Sequence, residues 1–136
     1  MFSRRELVNT VITVAQTAAV YGPFAMPGWM NGLVLDASFV YGSGGTSLIA
    51  RAQTSFNNGV TWMDISSFSF TTATKHRIAN LRASTPVTTL ATPTDNSLAG
   101  DTVVDGFLGN LYRVVVTSVG TYAGATTLVI SAQPKP

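Results

Sequence analysis

Residues 47–65, SLIARAQTSFNNGVTWMDI, decide the fold. Leu48, Ala50 and Ala52 fall on one face, with Arg51 and Gln53 on the other. This period of two marks a half-buried strand. Asn58-Gly59 then suits a type I′ turn, in which both central residues need positive φ. Residues 60–65 return as the partner strand. The segment SFNNGVTW (55–62) also poses a question of chemistry: a sugar-handling motif, a metal loop, or a turn. Its side chains favour a structural turn. Ser55 and Asn57 offer oxygens to turn N–H groups. Gly59 supplies positive φ, Thr61 completes the polar spacing, and Trp62 lays a large ring beneath the turn.

The pattern of strand, turn and strand repeats outward from this hairpin. Residues 32–42 alternate weakly and end at Gly42, and residues 43–45 (SGG) form a turn. Residues 67–72 alternate Phe68 and Phe70 with Ser and Thr. Residues 75–81 form a short strand. Residues 110–118 and 126–132 make a closing hairpin around VGTYAGA, and the tail QPKP stops the last strand with proline. At the start, Ser3 and Glu6 fit a helix capping box, but the β-branched residues that follow favour a strand over 8–17. YGPFAMPGW (21–29) reads as an irregular connection. The Thr-, Ala- and Pro-rich stretch 83–106 reads as a long loop. These elements predict one all-β domain over residues 1–136. It is an antiparallel β-sandwich, with a jelly roll among its arrangements. Residues 1–10 extend as an N-terminal arm, and 83–106 form a loop or second arm.

Composition narrows the function. Only 10% of the 136 residues are charged, while 46% are hydrophobic, and 19 Thr and 12 Ser supply polarity in place of charge. A small chain with so few charges covers its own surface poorly and tends to associate. The formal net charge of +2 is too small for a nucleic-acid footprint. With no cysteine there is no disulfide frame and no thiolate metal site. No run of 18 apolar residues predicts a membrane span. The first twenty residues imitate a secretory signal, but Glu6, Asn9, Thr10, Thr13 and Gln16 break the apolar run, so no such signal is expected.

Catalytic and metal readings rest on few residues. A Ser-His-Asp triad would have to use His76, flanked by Lys75 and Arg77, which disfavour an imidazolium. A glycosidase pair would draw on Asp95, Asp101 and Asp105, but loop aspartates also cap turns. A calcium loop at 55–62 lacks carboxylates, since Asn57 and Asn58 are neutral. Phe24, Trp29, Tyr41, Trp62, Tyr112 and Tyr122 could form a sugar-stacking platform; the competing reading places Trp62, Phe68 and Phe70 in the core. No catalytic residue, cofactor, metal or small-molecule substrate is expected.

Two resemblances bear on function. SFNNGVTW resembles the Asp-box of sialidases and other β-propellers, with Asn57 where the pattern usually has Asp. That implies a structural hairpin, and because the box occurs once here, a propeller is not implied. Residues 54–74 (TSFNNGVTWMDISSFSFTTAT), with GGTSLIARAQ before them and YRVVVTSVGTYAGATTLVISA (112–132) after, resemble small virion proteins of tailed bacteriophages. The resemblance implies a non-enzymatic particle protein, assembled in the bacterial cytoplasm. It would be a capsid decoration or minor head protein, or alternatively a neck or tail component. Its partners would be further copies of itself, the major capsid protein or other virion proteins, with no nucleic acid and no membrane. A carbohydrate-binding host-recognition module is the other alternative. Residues 1–10 and 83–106 are the expected contact elements.

Overall fold

The computed structural model describes residues 4–84 and 86–136. Among these residues eleven strands follow one another: β1 (Arg5–Val11), β2 (Ala19–Ala25), β3 (Gly32–Val40), β4 (Ser43–Gly44), β5 (Ser47–Ser55), β6 (Met63–Phe70), β7 (Lys75–Arg82), β8 (Thr102–Val103), β9 (Leu111–Val119), β10 (Tyr122–Ala123) and β11 (Thr127–Lys135). One large sheet has the order β1-β11-β3-β7 and the other β2-β9-β5-β6-β8; β4 and β10 form a small ribbon. Every pairing is antiparallel. Number only the eight long strands, and the sheets read 1-8-3-6 and 2-7-4-5. This is the strand order of a jelly roll, so the antiparallel sandwich is the two-sheet form of that fold.

Alternation places the core between the sheets. Leu33, Leu35, Ala37 and Phe39 of β3 point inward, as do Leu128, Ile130 and Ala132 of β11. Leu48, Ala50 and Ala52 meet them from β5, with Phe68 and Phe70 from β6 and Val114 and Val116 from β9. Phe39 stacks on Phe70 with ring centroids 4.9 Å apart, and Tyr122 meets Phe39 edge-on at 5.5 Å. Offset and edge-on ring pairs of this kind add about 0.5–1.5 kcal/mol each beyond their buried area.

Several sequence expectations need correction. The first strand is Arg5–Val11, not 8–17, and pairs along β11. The expected arm 1–10 is therefore, from residue 5 onward, an integral strand. Ser3 lies outside the described residues, and Glu6, its capping-box partner in the sequence reading, lies within β1. The stretch expected to be irregular contains β2, which carries Pro23 beside a register shift between Tyr21 and Phe24. Proline fits there because β2 is an edge strand and needs no donor on its open side. Pro134 does not stop β11, which runs on to Lys135. β1 pairs only as far as Ala132, so beyond it β11 has a partner, β3, on one side alone. Residues 56–62 make a seven-residue connection rather than a two-residue hairpin, because β6 begins only at Met63.

Candidate functional site

The turn that opened the question is built from its own polar groups. Ser55 Oγ accepts from the Gly59 N–H at 2.8 Å and the Asn57 N–H at 3.3 Å, and donates to Asn57 Oδ1 at 3.0 Å. Asn57 Oδ1 also accepts from the Thr61 N–H at 2.9 Å, and Asn57 Nδ2 donates to Thr61 Oγ1 at 2.8 Å. Asn58 and Gly59 take φ of +58° and +87°, the left-handed pair expected from the dipeptide. Asn110 Nδ2 donates to Asn58 Oδ1 and ties the loop to the start of β9. With both Asn57 side-chain atoms and the Ser55 hydroxyl spent on the turn, the loop is a self-contained clasp.

Trp62 departs from the expected core position. It is half-buried, and the Arg113 guanidinium lies 4.3 Å from its ring centroid. Arg113 Nε donates to Gln53 Oε1 at 2.6 Å, and its Nη2 lies 3.6 Å from Asp95. The six aromatics of the sugar-platform reading are not brought together. Tyr112 and Tyr122 are buried, Tyr41 packs against Phe39 and Tyr122, Phe24 is covered by Arg5, Trp62 is covered by Arg113, and Trp29 stands about half exposed. Burial pushes the Tyr112 hydroxyl up to about 12, with Thr54 opposing the shift; the hydroxyl donates to the Gly109 carbonyl at 3.0 Å.

The centre of the long 83–106 segment's attachment is Asp64, a fully buried carboxylate. Its two oxygens receive Gln53 Nε2, Thr94 Oγ1 and the N–H groups of Asn96, Ser97 and Leu98, all at 2.8–3.0 Å. Burial alone would raise this carboxyl. The Gln53 bond and the N–H groups of Ser97, Asn96 and Leu98 outweigh burial and hold it below the usual carboxylate range. Arg51 adds bonds to the Leu98 carbonyl and Asn96 Oδ1. Residues 94–105 thus form a strap along the open side of β6. The Asp64 N–H donates to the Thr94 carbonyl, the Asp101 N–H to Ser67 and the Val104 N–H to Ile65. Over 94–105 the arm alternative of the loop-or-arm expectation is therefore corrected: this part is a loop bound to its own body. Residues 86–93 differ. All eight are exposed, and none makes a hydrogen bond to another described residue.

Each acidic candidate has a local task. Asp95 accepts from Gln53 at 2.7 Å, Asp101 pairs with Arg77 at 3.1 Å, and Asp105 accepts from the Arg82 N–H at 2.7 Å. His76 Nε2 meets Asp36 Oδ1 at 2.5 Å on the outer face of the first sheet. This partner was missed because Asp36 is forty residues away, and only the β3–β7 register, Ser38 opposite His76, brings it near. Lys75 and Arg77 do not face the imidazole, because neighbours along a strand point to opposite faces. Arg4, Ser38, Val129 and Ser131 complete an open concavity of about 340 Å³ around the pair. Ser38 makes no hydrogen bond to His76.

The sheet edges complete the surface. β6 is covered by the strap, β1 has a bulge between Glu6 and Val8, and β2 has a bulge and a proline. Among the described residues, β7 alone keeps unbroken register over eight residues while its outer side has no strand beside it. At its end, the Arg82 N–H donates to Asp105 and the Arg82 carbonyl accepts from Gly106, so this residue's backbone points away from β3. Alternation then turns the N–H and C=O of Asn80, Ile78 and His76 the same way. Among the described residues these six groups have no hydrogen-bond partner. No protein-family model, no curated protein and no solved structure matches this chain.

Proposed function

We propose that this chain is a non-enzymatic structural subunit of a tailed-bacteriophage virion, a capsid decoration or minor head protein that stabilises the particle through many modest contacts. The observation that carries the reading is a rigid jelly roll whose surface is poor in charge and rich in exposed apolar side chains. Val14, Phe56, Val60, Ile78, Val87 and Leu90 all stand more than half exposed, and they lie on several sides of the body. A surface with so few charges has little to keep copies apart. In a lattice, each weak contact is multiplied by its neighbours. Jelly rolls occur in capsid proteins and in lectins alike, so the fold supports the reading only by analogy. Its weight comes from the surface and from the resemblance of residues 54–74 and 112–132.

The contact elements differ from those expected from sequence. Residues 5–11 and 94–105 are committed to the body, which leaves 86–93 and the apolar side chains as the contact surface. A neck or tail component would use the same surface. The carbohydrate-binding alternative is weakened by the scattered and covered aromatics. The test is to purify particles from cells that carry this gene and identify their proteins by mass spectrometry. Stoichiometric presence in heads supports the reading. Absence from heads and tails, with the chain free in the lysate, overturns it.

A further inference from the structure

We infer that copies of this chain join through strand donation, with the 87–92 segment of one copy pairing antiparallel along the open edge of β7 in the next. Two observations meet here. The β7 edge presents three consecutive outward residues, His76, Ile78 and Asn80, with unpaired N–H and C=O groups. Residues 86–93, PVTTLATP, are exposed and make no hydrogen bond to another described residue; they are uncharged and rich in β-branched residues between two prolines. The six residues between the prolines span about 20 Å when extended, and residues 76–80 about 17 Å, so the lengths match.

Charge selects the donor. β7 carries Lys75, Arg77 and Arg82 and no acid, so two β7 edges laid together would place two basic strands side by side. The neutral segment avoids that cost. It also leads into Asp95, whose carboxylate is half exposed and in antiparallel pairing lies toward the Lys75 end of the edge. With Thr89 opposite Ile78, Val87, 58% exposed, lies on the same face as Ile78, 63% exposed, and would gain cover against it, while Leu90 points to the other face. The chain bends at Thr88–Thr89 and must straighten to pair. The contact joins two different surfaces, so it is heterologous and builds a ring or an open array. The inference shares with the virion reading only the idea of a multivalent subunit, and needs no other particle protein.

Sedimentation velocity on the full chain over a range of concentrations tests it. The wild type should associate beyond a dimer. Thr89→Pro should sediment as one chain with an unchanged melting temperature, because residue 89 has no hydrogen bond to another described residue to lose. Ile78→Pro removes an outward donor at the edge and should also be monomeric. Mixing the two variants is decisive, since one keeps only the edge and the other only the donor segment. The mixture should stop at one-to-one dimers. If Ile78→Pro does not fold, a synthetic peptide of residues 86–94 should dissociate wild-type oligomers instead. A wild type that stays monomeric, or Thr89→Pro associating as the wild type does, overturns the inference. A monomeric wild type that is still found in particle heads would sink strand donation and leave the virion reading standing.

Discussion

Replacing Asp64 with Asn removes one charge and one acceptor from a buried carboxylate that receives five donors. Oδ1 holds Gln53 Nε2 and the Asn96 N–H; Oδ2 holds Thr94 Oγ1 and the N–H groups of Ser97 and Leu98. Asn keeps a single oxygen. Set on the side with three donors, its amide points at Gln53 Nε2 and the Asn96 N–H. Gln53 cannot turn its own amide in response, because Arg113 holds its Oε1 at 2.6 Å. Each bond to a charged group is worth about 1.5–3 kcal/mol, and breaking a buried charged network typically costs about 3–5 kcal/mol. We take the latter range, since the strap can partly relax. For a chain of this length it corresponds to a fall of roughly 10–17 °C in melting temperature. Urea and thermal unfolding measure the loss, and amide exchange at Asn96, Ser97 and Leu98 should accelerate with it. The pH dependence follows from the lowered carboxyl. Its contribution is fully present above the unfolded value of about 3.9 and disappears as pH falls through the lower folded value, so the gap between wild type and Asp64→Asn should close in acid. A loss under about 1 kcal/mol, with exchange unchanged at those three amides, would refute the strap argument.

Gly45→Ala should cost about 2–4 kcal/mol in urea unfolding, because an added Cβ would stand 2.4 Å from the Tyr122 ring and the backbone there has φ of +67°. Tyr112 should titrate near 12 by ultraviolet absorption; its contribution to stability holds below the unfolded value of about 10 and is lost as pH rises through 12, so alkaline unfolding should lie in that window. Arg113→Ala should lower stability by about 1–3 kcal/mol and shift the Trp62 fluorescence, since it removes both the stacked cation and the partner of Gln53.

The central hairpin and the sandwich were legible because 47–53 alternates, 32–40 does so more weakly, and their inward residues fill the core. Positive φ at Asn58 and Gly59 was legible for the same local reason. What misled was any residue whose role is set by a distant partner. The prolines of β2 and β11 read as breakers, yet each sits where its strand has a neighbour on one side only, a fact that sheet order alone supplies. Trp62 read as core because it is large and apolar; Arg113, fifty-one residues on, draws it to the surface. Asp64 looked like one more strand residue. Its outward face is buried only because 94–98 lie over it, and that loop has no periodicity to announce it. The same loop looked like an arm because its many Thr, Ala and Pro residues carry no hydrophobic pattern, while its attachments are backbone bonds.

Hydrogen exchange on the chain, alone and within purified particles, tests most directly whether this charge-poor jelly roll is built to be covered. Strong new protection at residues 76–80 and 86–92 in the particle, with the Asp64 strap equally protected in both states, is the predicted result. Identical exchange at every amide in the two states would contradict it.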